Sequence, residues 1–225
     1  MKRMLKLGVI AAIIAFALSS CLTIEDHYTM KANGSGSMKT IIDMSEMKSL
    51  LEMVAEEGSE GNPMDELNFQ DLAVELRGQN GISNIAVNEN KEDLVFEISF
   101  DFDDVSSLNR GLSSLGRNSA NGNMTNPSKG VFASNFELGE MLPMNELLGG
   151  ADDAGEEGME KVQMLLNQMK YTIHLHFQKP VQAVYGGAGA DIKYEDKSGK
   201  NVVIAADFAE IINNKSVLSW TAVTK

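Results

Sequence analysis

The 225-residue chain carries 32 acidic against 19 basic residues, for a formal net charge of −13. This balance excludes binding to nucleic acid or to an anionic headgroup surface by bulk electrostatics, because both are negatively charged. A single cysteine excludes a fold held by intramolecular disulfides, so the fold must depend on an apolar core. The length is sufficient for such a core, in one domain or in two small ones.

The amino terminus has the three-part layout of a secretory signal peptide. Basic residues at positions 2, 3 and 6 precede an uncharged apolar run over 7–18, and two serines follow. The run is too short to cross a bilayer core, which needs roughly 20 apolar residues. We therefore predict a cleaved signal peptide over 1–20, with a core helix or a short membrane anchor as the alternatives.

The end of this segment, Leu18-Ser19-Ser20-Cys21, resembles the bacterial lipobox. The resemblance implies transfer of diacylglycerol to the thiol of Cys21, cleavage between Ser20 and Cys21, and acylation of the new amino terminus. A thiolate is nucleophilic enough at neutral pH to take the lipid as a thioether, and several acyl chains anchor a protein stably. Cys21 is thus predicted to hold the protein to a membrane of the bacterial cell envelope. Leu22, rather than an aspartate, favours the outer membrane of a Gram-negative host, facing the periplasm or the surface.

Two strands are predicted to open the mature chain. Residues 22–31 and 37–44 alternate in polarity, with Met38, Thr40, Ile42 and Met44 on one face, and the intervening Asn33-Gly34-Ser35-Gly36 favours a hairpin. Ser45 is predicted to cap a helix that ends at Gly58, and a second helix covers 69–79.

The middle of the chain contains the most regular predicted strand. Residues 82–89 and 93–102 are both expected to be strands, and the second alternates apolar with polar side chains from Leu94 to Phe102. This pattern is typical of an antiparallel sheet with one buried and one solvated face. A short helix is expected from Asp104, and a strand over 131–138. Polar loop insertions are predicted near 116–130 and 139–158.

The carboxy-terminal part is rich in predicted strands. A helix over 158–169 precedes strands over 171–178, 181–185, 190–196, 201–208 and 216–223, with a helical turn at 209–214. Because strands occur as neighbours and helices occur between groups of strands, we predict an α+β fold. The fold would have a largely antiparallel sheet with helices packed mainly on one face, in a single domain over 21–225.

Two histidines are the candidate metal ligands. His174 and His176 alternate on a predicted strand, so they share a face, and a zinc site needs at least a third ligand beside them. His27 is the only other histidine in the chain. The alternative is an ordinary polar sheet face, and with the ligand set incomplete no cofactor is predicted.

Other patterns have a simpler structural interpretation beside the chemical one. The run from Gly186 to Gly189 could cradle a phosphate, but it is not followed by the helix that a phosphate-binding loop requires. The run is therefore predicted to be a turn between strands. The M-x-x-M spacings of Met44 with Met47 and of Met141 with Met144 suit Cu(I), although methionine is a common core filler. Ser45-x-x-Lys48 lacks its partner catalytic motifs. The acidic stretches 56–66 and 152–160 lack a regular calcium loop and read as solvated segments.

Several short features of the mature chain occur together. They are the cysteine followed by a strand, the Asn33–Gly36 hairpin, the segment IIDMSEMKSLL at 41–51, and the residues Phe177, Lys179, Pro180 and Val181 ahead of Trp220. In these features the chain resembles bacterial envelope lipoproteins of the LppM-like kind. The resemblance implies an α+β domain that holds lipids or other apolar molecules.

These observations together predict a lipid-anchored envelope protein. Its domain is expected to be a non-enzymatic binding or structural module, since no strong catalytic motif is present. An apolar ligand such as a lipid, or a protein of the envelope, would be its partner. The alternative is a metal-dependent envelope enzyme that uses His174 and His176.

Overall fold

The computed structural model describes residues 22–48, 69–116, 124–135, 166–214 and 216–225. The predicted cleavage at Ser20 and lipidation at Cys21 lie outside these residues, as do most of the helix predicted after Ser45 and the insertion at 139–158. The described strands and helices, in chain order, are β1 (Leu22–Met30), β2 (Gly36–Asp43), a 3₁₀ turn (Ser45–Met47), α1 (Phe69–Arg77), β3 (Ile82–Asn90), β4 (Val95–Phe102), α2 (Val105–Ser114), β5 (Met124–Ser128), β6 (Val131–Ser134), β7 (Met169–Phe177), β8 (Val181–Gly186), β9 (Asp191–Tyr194), β10 (Asn201–Asp207), α3 (Phe208–Asn213) and β11 (Trp220–Thr224).

The strands form two sheets. Of the strands in the described residues, seven are arranged in the order β3-β4-β2-β1-β7-β10-β9, and four in the order β5-β6-β11-β8. Among the described residues every strand pair is antiparallel except β1 with β7, which is parallel. The predicted α+β class with largely antiparallel pairing is confirmed. The sequence did not reveal that the strands divide between two sheets.

One face of the seven-stranded sheet lies in the core. Its buried positions are the even-numbered residues of β1, β2, β4 and β10 and the odd-numbered residues of β7. Leu76 of α1, Leu108 of α2 and Phe208 of α3 belong to the same core, as do Phe132 and Trp220 of the second sheet. Burial of each large apolar side chain contributes about 1.5–3 kcal/mol. Three helices and the smaller sheet therefore pack together with this face.

The opposite face of the seven-stranded sheet is partly exposed. It carries the alternate residues of the same strands, most of them polar, such as Glu25, Thr29, Thr172 and Asn201. We call it the polar face. No helix in the described residues is both long and apolar enough to span a membrane.

Two local predictions in the first half of the chain need correction. Ser45 is the first residue of the 3₁₀ turn and does not cap it. The amide nitrogen and the hydroxyl of Ser45 both donate hydrogen bonds to Asp43 Oδ1, at 2.9 and 2.6 Å. Leu94 lies before β4 rather than within it, with a φ of 54°. Its carbonyl accepts from the amide of Met44 at 3.0 Å, which joins this turn to the end of β2.

Three predicted boundaries in the second half of the chain also differ. The polar segment 116–130, expected to be a loop, contains strand β5, because Asn109 pairs with both backbone groups of Met124 (2.7 and 2.8 Å) and the strand pairs with β6. Met169, assigned to a helix, is the first residue of β7. The last strand begins at Trp220 rather than at residue 216, since Val217 and Leu218 are buried in the turn before it.

Candidate metal centre

Parallel pairing of β1 with β7 places His27 directly beside His174. In the register of this pair His27 lies opposite His174, and Thr29 lies opposite His176. The His27 and His174 rings stack with their centroids 4.3 Å apart and their planes 5° apart. The His176 ring is 6.0 Å from that of His27. All three histidines of the chain therefore lie together on the polar face.

A carboxylate meets the two stacked rings. Glu25 Oε2 lies 3.3 Å from Nε2 of His27 and 3.8 Å from Nε2 of His174. One potential ligand atom from each of these three residues lies within 4.8 Å of the other two. The side chains are 17–37% exposed, so the cluster can be reached from solvent. Two imidazoles and a carboxylate in this arrangement can bind a metal ion.

The opposite nitrogens of the β7 histidines contact residues of the hairpin formed by β9 and β10. His174 Nδ1 is 3.2 Å from Glu195 Oε1, and His176 Nδ1 is 3.0 Å from Asn201 Oδ1. Asn201 donates its amide N–H to Asp196 at 2.6 Å, which directs its oxygen toward His176. Because an ionised carboxylate only accepts hydrogen bonds, the Nδ1–H of His174 donates to Glu195. The lone pair of neutral His174 is then on Nε2, on the side of Glu25.

The environment of His27 favours its neutral form. Burial of the ring is the main cause that lowers its pKa below 6.5, followed by repulsion from His174 when that ring is protonated and, more weakly, from Lys39. The hydrogen bond to Glu25 acts in the opposite direction without reversing the shift. Neutral imidazole is the form that binds metals.

A polar groove of about 350 Å³ adjoins the cluster. Its walls include His27, His176, Lys39 and Asp101, and Asn84 donates to the Asp101 carboxylate at 2.7 Å. A positively charged side chain, a negatively charged side chain and several hydrogen-bonding groups therefore line this groove. It therefore suits a polar solute better than a hydrocarbon chain.

A buried carboxyl on the other side of the sheet supports the cluster. Asp26 lies between Glu25 and His27 in sequence, faces the core and is fully buried. It accepts hydrogen bonds from Tyr171 OH of β7 at 2.6 Å and from Thr40 Oγ1 of β2 at 2.8 Å. These bonds join β1 to both neighbouring strands and so help to maintain the register that aligns His27 with His174.

The remaining candidates from the sequence have structural roles where they are described. Gly187 allows a close crossing of the chain, since a Cβ there would lie 2.0 Å from Ser216 O, and its amide donates to Ser219 O. Lys48 donates to the carbonyl of Glu92 at 2.9 Å. Met44 is buried in the core, whereas Met141 and Met144 lie outside the described residues.

Sequence reasoning identified His174 and His176 but did not join Glu25 and His27 to them. The alternation Glu25-x-His27 places both side chains on one face of a strand, as does His174-x-His176. The missing information was that β1 and β7, which lie far apart in the sequence, are neighbours in the sheet.

No model of a known protein family matches this sequence. No curated protein matches it either. Among solved structures, the chain is similar to the folded domain of the LppM protein of Mycobacterium tuberculosis, determined by NMR, at 10% identity and a TM-score of 0.44 over 92% of this chain and 91% of that one. LppM also names the group of lipoproteins that the sequence resembles.

Proposed function

We propose that this protein is a lipid-anchored component of the bacterial cell envelope whose folded domain is a binding module. The polar face of the seven-stranded sheet is its binding surface. The observation that carries this proposal is the gathering of Glu25, His27 and His174 on a partly exposed face beside a polar groove. Ionisable side chains concentrated around a concave surface are a common feature of ligand sites.

The proposed anchor is close to this surface. Strand β1 begins at Leu22, one residue after Cys21, and Leu22 is fully buried. A strand rises about 3.3 Å per residue, so His27 lies at most about 20 Å from the lipidated residue. The binding surface would thus operate within a short distance of the membrane, without an extended linker between the anchor and β1.

The proposal favours a polar ligand or a protein partner over an apolar ligand. The large aromatic side chains of the sheet include Phe96, Phe100 and Phe102, and these are only 1–2% exposed within the core. They pack among protein side chains in the described structure. The groove beside the histidines offers hydrogen-bonding groups instead.

Lipidation is tested in the full chain expressed in a bacterial host. Cys21→Ser should abolish incorporation of an alkyne-labelled fatty acid and release the domain from the membrane fraction. Ser20→Ala is the matched control, because it retains a small residue at the cleavage position. A Cys21→Ser protein that still carries the label would overturn the proposed anchor.

The binding surface is tested by photo-crosslinking in the envelope. A photoreactive amino acid at Thr172, on the polar face, should yield a discrete crosslinked product. The same amino acid at Val74, which is 63% exposed on α1, is the control. Equal crosslinking at both positions, or none at Thr172, would contradict a binding role for the polar face.

A metal-dependent envelope enzyme is the second candidate. The specific observation in its favour is that the fold places His27 and Glu25 beside His174. They supply the further metal ligands that the sequence alone did not identify. Catalytic zinc sites characteristically have three protein ligands and one open position. Zinc-dependent hydrolysis of ester, phosphoester or peptide substrates that disappears in His174→Ala would favour the enzyme. Its absence across these classes would favour the binding module.

A further inference from the structure

We propose that Glu25, His27 and His174 bind a divalent transition-metal ion of the Zn²⁺ class. The inference rests on the proposed binding role of the polar face and names the chemistry of its central site. The ligand atoms are Oε2 of Glu25 and Nε2 of each histidine. The metal ion would replace the Nε2 proton through which His27 bonds to Glu25, and neutral His27 would then carry its proton on Nδ1. His176 lies beside this set but is not a member of it.

The separations of the ligand atoms suit a tetrahedral ion. Zinc binds imidazole nitrogen and carboxylate oxygen at about 2.0–2.1 Å, which places tetrahedral ligand atoms about 3.3 Å apart. Glu25 Oε2 is 3.3 Å from His27 Nε2 and 3.8 Å from His174 Nε2. Side-chain rotations that tilt the two stacked rings toward a common point would complete the geometry. The paired strands need not move for this adjustment.

The hydrogen bond from His174 to Glu195 prepares His174 as a ligand. With its Nδ1–H donated to Glu195, neutral His174 directs the Nε2 lone pair toward the carboxylate of Glu25. A lone pair and a carboxylate oxygen repel each other unless a cation lies between them. A metal ion would bind both groups, and a proton is the competing cation. A carboxylate on the second nitrogen is also the usual partner of a metal-binding histidine.

The ligand types select the class of metal. Two imidazoles and one carboxylate suit Zn²⁺, Cu²⁺ and Ni²⁺, whereas Mg²⁺ and Ca²⁺ prefer oxygen ligands throughout. The acidic balance of the chain favours accumulation of cations near its surface. The fourth position of a tetrahedral ion would be left for water or for a ligand group.

The test measures Zn²⁺ alone with the full mature lipoprotein, purified in detergent without a histidine tag and stripped with a chelator. Calorimetry should show one saturable Zn²⁺ site per chain. His27→Ala and His174→Ala should each weaken binding by about 100-fold or more, and Glu195→Gln by about 10- to 100-fold, as for other partners of metal ligands. Glu25→Gln preserves side-chain size and should also weaken binding.

His176→Ala is the matched control. This substitution removes a histidine from the same strand and the same face as His174. The Nδ1 of His176 pairs with Asn201, and His176 lies outside the three-residue set. Its Zn²⁺ affinity should stay within about threefold of the parent. Co²⁺ should give the intense visible absorption of a tetrahedral site, lost in His174→Ala and retained in His176→Ala. Circular dichroism of every variant confirms that the fold is intact.

Two results would overturn the proposal. One is no saturable Zn²⁺ binding by the parent protein. The other is equal loss of affinity in His176→Ala and His174→Ala, which would mean a different ligand set. Either failure is distinguishable from failure of the binding module, because crosslinking at Thr172 is measured without added metal.

Discussion

The hydroxyl of Tyr171 should make a measurable contribution to stability because it donates to a carboxyl in the middle of the core. Tyr171 and Asp26 are both fully buried, and their oxygens are 2.6 Å apart. Tyr28 donates to the same carboxyl oxygen from 3.4 Å. The substitutions Tyr171→Phe and Tyr28→Phe therefore remove the same chemical group at two different distances from one acceptor.

The magnitudes follow from these distances. Removing the donor of a buried hydrogen bond leaves its acceptor without that partner and costs about 1–3 kcal/mol, whereas a long, weak bond contributes about 1 kcal/mol or less. Well-formed O–H···O bonds measure about 2.5–3.0 Å, so the bond from Tyr171 lies within this range and the bond from Tyr28 lies beyond it. Tyr171→Phe should thus lower the free energy of unfolding by about 1–3 kcal/mol, and Tyr28→Phe by about 1 kcal/mol or less.

Urea unfolding of the protein at neutral pH measures both changes. The midpoint should fall further for Tyr171→Phe than for Tyr28→Phe, while the slope remains that of the parent because the surface exposed on unfolding is the same. A Tyr171→Phe protein as stable as the parent, or a larger loss in Tyr28→Phe, would refute the reasoning. Asp26 would then not be the group that joins β1 to β7.

Three further outcomes are expected. Gly36→Ala should lower the free energy of unfolding by more than about 2 kcal/mol in chemical denaturation, because the new Cβ would lie 1.8 Å from Thr29 O. Gly78→Ala, whose Cβ would have its nearest atom at 3.3 Å, should change it by less than about 1 kcal/mol. Similar losses in the two variants would contradict this steric argument. Asp104→Ala should cost about 1 kcal/mol at pH 7, because Asp104 caps α2. Hydrogen bonds from the backbone and hydroxyl of Ser107 lower the pKa of Asp104, so this stabilisation should disappear as pH falls through that pKa, and a pH-independent loss would be inconsistent with it. In the metal-free protein the NMR titration midpoint of His27 should fall below 6.5, because burial lowers its pKa. The unfolded chain then binds this proton more readily than the folded one, so the stability that His27 contributes should fall as pH drops below about 6.5. A midpoint above 6.5 would reverse that sign.

Elements defined by local patterns could be predicted from the sequence. The alternation from Phe96 to Phe102 correctly identified the buried side of β4, and the Asn33–Gly36 segment correctly placed the hairpin between β1 and β2. The shared face of His174 and His176 was also correct. Each of these features depends on side-chain direction within one strand or on the conformation of one turn, which nearby residues control.

Strand β5 shows where local patterns are insufficient. Its sequence, Met-Thr-Asn-Pro-Ser, has no regular alternation, and it extends through pairing with β6 and through the bonds of Asn109 to Met124. The division into two sheets has the same origin. Periodicity assigns a face to each residue but does not specify which strand lies beside it.

The sequence by itself determined the signal peptide-like start, the lipobox resemblance at Cys21, the α+β class and the faces of the main strands. The tertiary structure alone decided that β1 pairs in parallel with β7, and hence that Glu25 and His27 meet His174. The physical reason is that contacts between distant strands depend on how the whole core packs. The hydrogen bonds from Tyr171 and Thr40 to Asp26 are part of that packing, and no pattern within a single strand encodes them.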